Sequence, residues 1–328
     1  MTGFTSEPVG KSVPRIDMYE KVTGSATFAD DMQFGPGLYY GRLVRSPFAH
    51  ALIQHVDITE AQQVPGVKAV VTGADVPNNI GLYLIDRPIF ARDRVRYVGE
   101  PVAGVVAISE EIAHEATQLI KVVYHELPAV FDPVEAAQDG APLLHPDLGS
   151  YEVANFIFPK PGSNISEHFK LRRGDVDTAW PQCAAIVEGT FRLPQIQHVP
   201  IEPHVAVGRW EASGQVTLWT CSQSPFAQRD MMAQSLDIPH GNLRVISPYV
   251  GGGFGGKAGI SMEVCAVVMA RAVKGHPVKL RMTREEEFIG TNVRQSLVAQ
   301  TKIGCDEQGK LLAMETKYHF GGGAYNDY

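Results

Sequence analysis

One segment restricts the fold more than any other: Ile260 to Val273 (ISMEVCAVVMARAV), which is apolar on nearly every side when wound as a helix. A helix of that kind is buried rather than laid on a surface. It belongs to an α/β region that starts near Gly174. Ala185 to Arg192 reads as a strand, and Val216 to Thr220 alternates apolar and polar residues as a half-buried strand does. Leu243 to Ile246 and Val278 to Met282 are two more strands. Ala227 to Leu236 places Met231, Met232 and Leu236 at helical spacing. Thr283 caps an acidic first turn, Glu285 to Glu287, which suits the positive end of a helix. Leu297 to Ile303 and Leu311 to Phe320 form antiparallel strands across a turn from Asp306 to Gly309.

An earlier unit occupies roughly residues 24 to 130. Leu38 to Arg45, Ala51 to Ile58 and Val67 to Thr72 read as strands, with a short helix at Glu60 to Gln63. Val102 to Ile108 (VAGVVAI) is continuously apolar, as a strand buried on both faces is. Ser109 caps a helix from Glu110 to Leu119 with Ile112, Ala116 and Ile120 turned inward, and Val122 to Tyr124 returns as a strand. Between Phe131 and Lys170 five prolines interrupt any period, so this is a connecting segment. The fold class is therefore α+β, with residues 1–130 as one domain, 131–170 as a connection and 171–328 as a second, incomplete domain. The run Gly321 to Tyr328 reads as the approach to another element.

Composition excludes several functions. With 29 basic against 36 acidic residues the net charge is −7, so no nucleic-acid partner is expected. No apolar run approaches the ~20 residues of a membrane span. Met1 to Arg15 has no apolar signal core, which points to the cytoplasm. Cys183, Cys221, Cys265 and Cys305 form no C-x-x-C pair and read as reduced, mostly buried thiols.

The loop Gly251-Gly252-Gly253-Phe254-Gly255-Gly256-Lys257-Ala258 carries the most chemistry. Glycines let backbone N–H groups approach a ligand, and the helix expected after them adds its dipole. Two nucleotide patterns fit in part. Gly251-x-Gly253-x-x-Gly256 fits a dinucleotide fingerprint, but Arg271 to Lys279 lacks the ribose-binding acid. Gly251 to Lys257 fits a P-loop, but Ala258 stands where a magnesium-binding hydroxyl is needed. A nucleotide-dependent enzyme using the Gly251–Lys257 loop is thus one alternative, and a non-enzymatic assembly domain another. His198, Glu202 and His204 have a metal-like spacing, but Pro200 and Pro203 break the helix it requires.

GGGFGGK, the upstream Ser222-Gln223-Ser224-Pro225 and the following Met282-Thr283-Arg284-Glu285-Glu286-Glu287-Phe288 resemble the molybdenum hydroxylases, the xanthine dehydrogenase and aldehyde oxidase family. Asp17 to Ala26 and Tyr97 to Ala103 resemble that family's α/β hammerhead domain, and Gln197 to His204 the opening of its first molybdopterin-binding domain. The resemblance implies a hammerhead domain followed by the first part of an α/β molybdopterin-binding domain. It places Gln223, 31 positions before Phe254, beside an oxygen ligand of molybdenum as a catalytic residue. It places the Phe254 N–H at the metal's ligand sphere and Gly252, Gly253 and Gly255 against the pterin. Gln223 and Phe254 would thus lie near molybdenum without ligating it.

The resemblance further implies hydroxylation with water-derived oxygen by a multi-subunit enzyme, this chain being inactive alone. The cofactor is molybdenum-molybdopterin, in its simple or cytosine dinucleotide form, with iron–sulfur clusters and FAD on partner chains. The catalytic glutamate and the second molybdopterin-binding domain would come from another chain or from further sequence, making this a split subunit or a fragment. Gly99-Glu100-Pro101 resembles the hammerhead's own motif and not the catalytic glutamate. At Ala258 purine-oxidising members carry a glutamate, so the small-molecule substrate expected here is an N-heterocycle or an aldehyde rather than a purine held in that manner.

Overall fold

The structure, a computed structural model, describes residues 10–326. Most of the stretch read as free of a secretion signal (1–9) and the last two residues, Asp327 and Tyr328, lie outside them. A short helix α1 (Met18–Thr23) leads to strands β1 (Tyr39–Arg45) and β2 (Ala51–Asp57), helix α2 (Thr59–Gln62) and strand β3 (Val67–Thr72). The two-residue strands β4 (Asn79–Ile80), β5 (Arg87–Pro88) and β6 (Arg94–Val95) precede β7 (Pro101–Ala107), α3 (Glu110–Thr117) and β8 (Lys121–Glu126). Residues 131–170 carry α4 (Pro133–Ala136), and after them come α5 (Val176–Ala179), β9 (Ala185–Leu193), β10 (Val205–Trp210), β11 (Val216–Thr220), α6 (Pro225–Ser235) and β12 (Leu243–Ile246). The chain continues through α7 (Glu263–Ala272), β13 (Pro277–Arg281), α8 (Arg284–Gly290), β14 (Ser296–Cys305) and β15 (Leu311–Gly321).

Strands from the early and late regions share one seven-stranded sheet, in the order β12-β11-β10-β13-β1-β7-β3. Its seam is the parallel pair β1–β13, Tyr39 opposite Val278. The apolar helix α7 lies across this sheet, and glycines make room for it. A Cβ at Gly208 of β10 would fall 2.6 Å from the Ala266 carbonyl, and one at Gly104 of β7 or Gly41 of β1 would fall 2.8 Å from Met269. The residues before and after Gly104, Ala103 and Val105, point the other way, into a second cluster with Ala116 and Ala61 of α3 and α2. Strand alternation thus supplies one face of β7 to each layer. Ser109 and Thr283 both cap as expected, Ser109 accepting from the Ile112 N–H and Thr283 forming a reciprocal capping box with Glu286.

The sequence pattern does not show strand β10, although it is an interior strand of the sheet, antiparallel to β11 and to β13. Its first four residues are all buried, so it shows no alternation. The buried helix also begins later than expected, at Glu263.

Tyr325 is buried in the first unit and donates its hydroxyl to Glu100, whose other oxygen accepts from the Arg96 N–H at 2.5 Å. His145 donates Nε2–H to the Ala324 carbonyl at 2.6 Å, leaving Nδ1 to accept from the Tyr151 hydroxyl at 3.1 Å. Complete burial pushes the Glu100 carboxyl up to about 7, against the Tyr325 and Arg96 hydrogen bonds. Burial, aided by Arg96, brings His145 down to about 4.

Candidate functional site

Sheet topology gathers the site. β11 and β12 are parallel neighbours, so their C-terminal ends open on one edge of the sheet. β10 is antiparallel to β11 and to β13, so the segment entering β10 and the segment leaving β13 open on that same edge. Residues 197–204, Gln223, the glycine loop and α8 are therefore brought together from distant parts of the sequence.

Gln223 docks on the glycine loop. Its Oε1 accepts from the Gly255 N–H at 3.0 Å and the Lys257 N–H at 3.2 Å, and its own N–H donates to the Lys257 carbonyl at 2.9 Å. Two donors on one oxygen fix the amide orientation. Nε2 is left without a partner among the described residues. The fit is close: a Cβ at Gly253 would lie 2.4 Å from Gln223 Oε1. Phe254 adopts φ 54, in the left-handed region, with its ring largely exposed rather than in the core. The N–H groups of Gly252, Gly253 and Phe254 have no acceptor among the described residues, whereas those of Gly251, Gly255, Gly256, Lys257 and Ala258 are all bonded. Three consecutive free donors make a concavity suited to an oxygen-rich or anionic ligand. Ala258 is half-buried one turn further on, its N–H bonded to the Gly255 carbonyl at 3.2 Å.

Two expectations fail here. The helix dipole does not act at the loop, because α7 starts at Glu263, after a turn of several residues. The phosphate-loop reading fails as well. Lys257 is wholly buried and its Nζ donates to the Glu202 carbonyl at 2.8 Å and to Glu202 Oε2 at 3.0 Å, so no amine is offered to a phosphate.

The residues with metal-like spacing go to separate tasks. His198 packs beneath the loop, its Nδ1 2.9 Å from where a Gly256 Cβ would sit. His204 pairs through Nδ1 with Glu287 of α8 at 2.9 Å, and its N–H donates to the same carboxylate at 2.9 Å. Burial raises the Glu287 carboxyl, but these bonds to His204 outweigh it and hold it below the usual range. Cys221 and Cys265 are buried free thiols pushed up to about 12 by burial, while Cys183 and Cys305 are free and half-buried. Sequence reasoning did not find the Lys257–Glu202 pair.

Residues 157–328 match the molybdopterin cofactor-binding domain, and residues 23–128 match the aldehyde oxidase and xanthine dehydrogenase a/b hammerhead domain. The chain belongs to the xanthine dehydrogenase and aldehyde oxidase family. The chain is 32% identical to the nicotinate dehydrogenase large molybdopterin subunit of Eubacterium barkeri over 99% of its own length and 73% of that protein. It is 31% identical to the xanthine dehydrogenase molybdenum-binding subunit of Escherichia coli O157:H7, covering 95% of this chain and 41% of the relative. Among solved structures, quinoline 2-oxidoreductase from Pseudomonas putida 86 superposes with a TM-score of 0.82 at 32% identity, covering 95% of this chain and 39% of that one. The chain thus spans about two fifths of the length of the latter two. Among the described residues no helix is long and apolar enough to cross a membrane.

Proposed function

We propose that this chain supplies the Gln223 and glycine-loop side of the molybdopterin site in a multi-subunit molybdenum hydroxylase. The observation that carries this is the run of free N–H groups from Gly252 to Phe254 beside the uncommitted Nε2 of Gln223. These are neutral donors without a protein acceptor, of the kind that holds an oxygen-rich group, so the residues present fit the cofactor. When bound, the molybdenum group supplies the redox chemistry. This chain's residues hold and orient. Gly252, Gly253 and Gly255 would present their main chain to the cofactor, and the Phe254 N–H would donate toward the metal's ligand sphere. The Gln223 Nε2 donates toward the incoming substrate. Its Oε1 cannot turn outward without breaking two hydrogen bonds.

The wall at Ala258 is a methyl group, which leaves a purine's ring nitrogens or carbonyls without a partner there. An aromatic N-heterocycle or an aldehyde fits it better. The four free thiols agree with a cytoplasmic setting. Iron–sulfur and FAD subunits would carry the electrons away, and the catalytic glutamate and second molybdopterin-binding domain would come from the remainder of the large subunit.

An uncovered apolar face supports that last point. The register of β9, β14 and β15 puts Val187, Phe191, Leu193, Met314, Tyr318 and Phe320 on one side of their three-stranded sheet. All six are exposed. A face of this kind marks an interaction surface, and the remainder of the large subunit is the occupant we assign to it. The test is co-expression with chains carrying the rest of a molybdenum hydroxylase. The assembled protein should hold molybdenum and hydroxylate an N-heterocycle or aldehyde. A metal-free, inactive assembly that instead binds a nucleotide would overturn the reading.

A further inference from the structure

The glycine loop is held shut at its base by a device that no part of the reaction uses. Glu202 Oε2 accepts from the Gly251 N–H at 2.7 Å and from Lys257 Nζ at 3.0 Å. The Glu202 N–H donates to the Gly251 carbonyl at 3.2 Å, and Lys257 Nζ reaches back to the Glu202 carbonyl at 2.8 Å. One acidic residue therefore grips both the first and the last residue of the loop. The Lys257 side chain is 0% exposed and that of Glu202 12%. Glu202 sits in a segment that is itself anchored to α8. Arg284 Nη2 donates to the carbonyls of Pro200 and Ile201 at 2.7 and 3.0 Å, and Gln197 Nε2 donates to the Glu287 carbonyl at 2.7 Å.

A buried ion pair is a poor source of stability. Removing two charges from water costs about as much as their attraction returns, so a pair of well-packed apolar residues would serve stability as well. What apolar residues cannot do is bond the Gly251 N–H and fix the distance between the loop's ends. With both ends fixed, and Gln223 Oε1 holding Gly255 and Lys257, the conformations open to the residues between are narrowed. Phe254 there takes φ 54, a costly conformation for a bulky residue that persists where the surrounding structure holds it.

We propose that Glu202 and Lys257 are positioning residues whose ion pair spans the base of the Gly251–Lys257 loop and imposes the conformation in which the Gly252, Gly253 and Phe254 N–H groups stay free. This deepens the molybdopterin reading and rests on it only for its consequence in the assembled enzyme.

The test uses three variants of the chain, expressed alone and with its partner chains: Lys257→Met, Glu202→Gln, and the double Glu202→Leu with Lys257→Met. In the chain alone, amide exchange of Gly255, Gly256 and Ala258, whose N–H groups are bonded only while the loop keeps this conformation, is compared with that of Ala206 in strand β10. We expect loop exchange at least 10-fold faster in all three variants, with the Ala206 rate and the far-ultraviolet spectrum unchanged. In the assembled enzyme we expect lower molybdenum retention and a broadened molybdenum paramagnetic resonance signal, with kcat falling more than KM rises. The double variant is decisive, since it removes the charges without leaving one unpaired. If it keeps wild-type loop exchange and a wild-type resonance signal, the pair only fills space and the proposal fails. If the single variants do not fold, the double variant still decides. If the wild-type assembly holds no molybdenum, the molybdopterin reading fails instead, while the exchange comparison still tests the clamp.

Discussion

Glu100 and His145 lie in one buried cluster around Tyr325, and their protonation should oppose each other. Glu100 moves from an ordinary 4.5 to about 7 on folding, so the folded chain takes up a proton there. Its contribution to stability is complete below pH 4.5 and is lost as the pH rises through 7. His145 moves from 6.5 to about 4, so the folded chain releases a proton. Its contribution is complete above pH 6.5 and is lost as the pH falls through 4. Between pH 4.5 and 6.5 the two slopes cancel, each about 1.4 kcal/mol per pH unit. Glu100→Gln should expose the histidine slope. Relative to the parent, the variant should lose about 3 kcal/mol of stability on going from pH 6.5 to 4.5. His145→Asn should do the reverse, gaining relative stability by a similar amount. Urea unfolding at constant ionic strength, read by the fluorescence of the chain's tryptophans, measures both. A Glu100→Gln difference that stays flat across this window would show that Glu100 is ionised in the folded chain and would refute the reasoning.

Other predictions concern the site and the core. Gln223→Ala in the assembled enzyme should cut turnover by a barrier increase of about 2–4 kcal/mol; an unchanged kcat at full molybdenum content would show that its amide does not reach the reacting groups. Gly208→Ala should cost about 1–3 kcal/mol in urea unfolding, because the methyl would meet the Ala266 backbone, which cannot move aside as a flexible side chain can. The chain expressed alone should hold little molybdopterin, since only one side of the proposed site is present; one molybdenum per isolated chain by elemental analysis would contradict this. Steady-state assays of the assembly on xanthine, nicotinate and aromatic aldehydes should place xanthine last. A preference for xanthine with its ring against Ala258 would reverse the assignment.

Local features were legible because they are written between near neighbours. The helix caps at Ser109 and Thr283, the enclosed helix around Val267 and the alternating strand from Val216 to Thr220 each depend on residues a few positions apart. The proximity of Gln223 to the loop came from resemblance to a family, and the structure supplies its cause, the parallel pairing of β11 with β12. No period in the sequence encodes that pairing. Strand β10 was passed over because its residues Val205 to Gly208 are buried on both faces and leave no alternation to read. The Lys257–Glu202 pair joins residues 55 apart and the Tyr325–Glu100 pair residues 225 apart. Local sequence sets which face of a strand or helix is apolar, because side-chain direction follows from backbone period. Which buried charges meet is decided by the order and direction of strands in the sheet, since that order sets which strand ends share an edge.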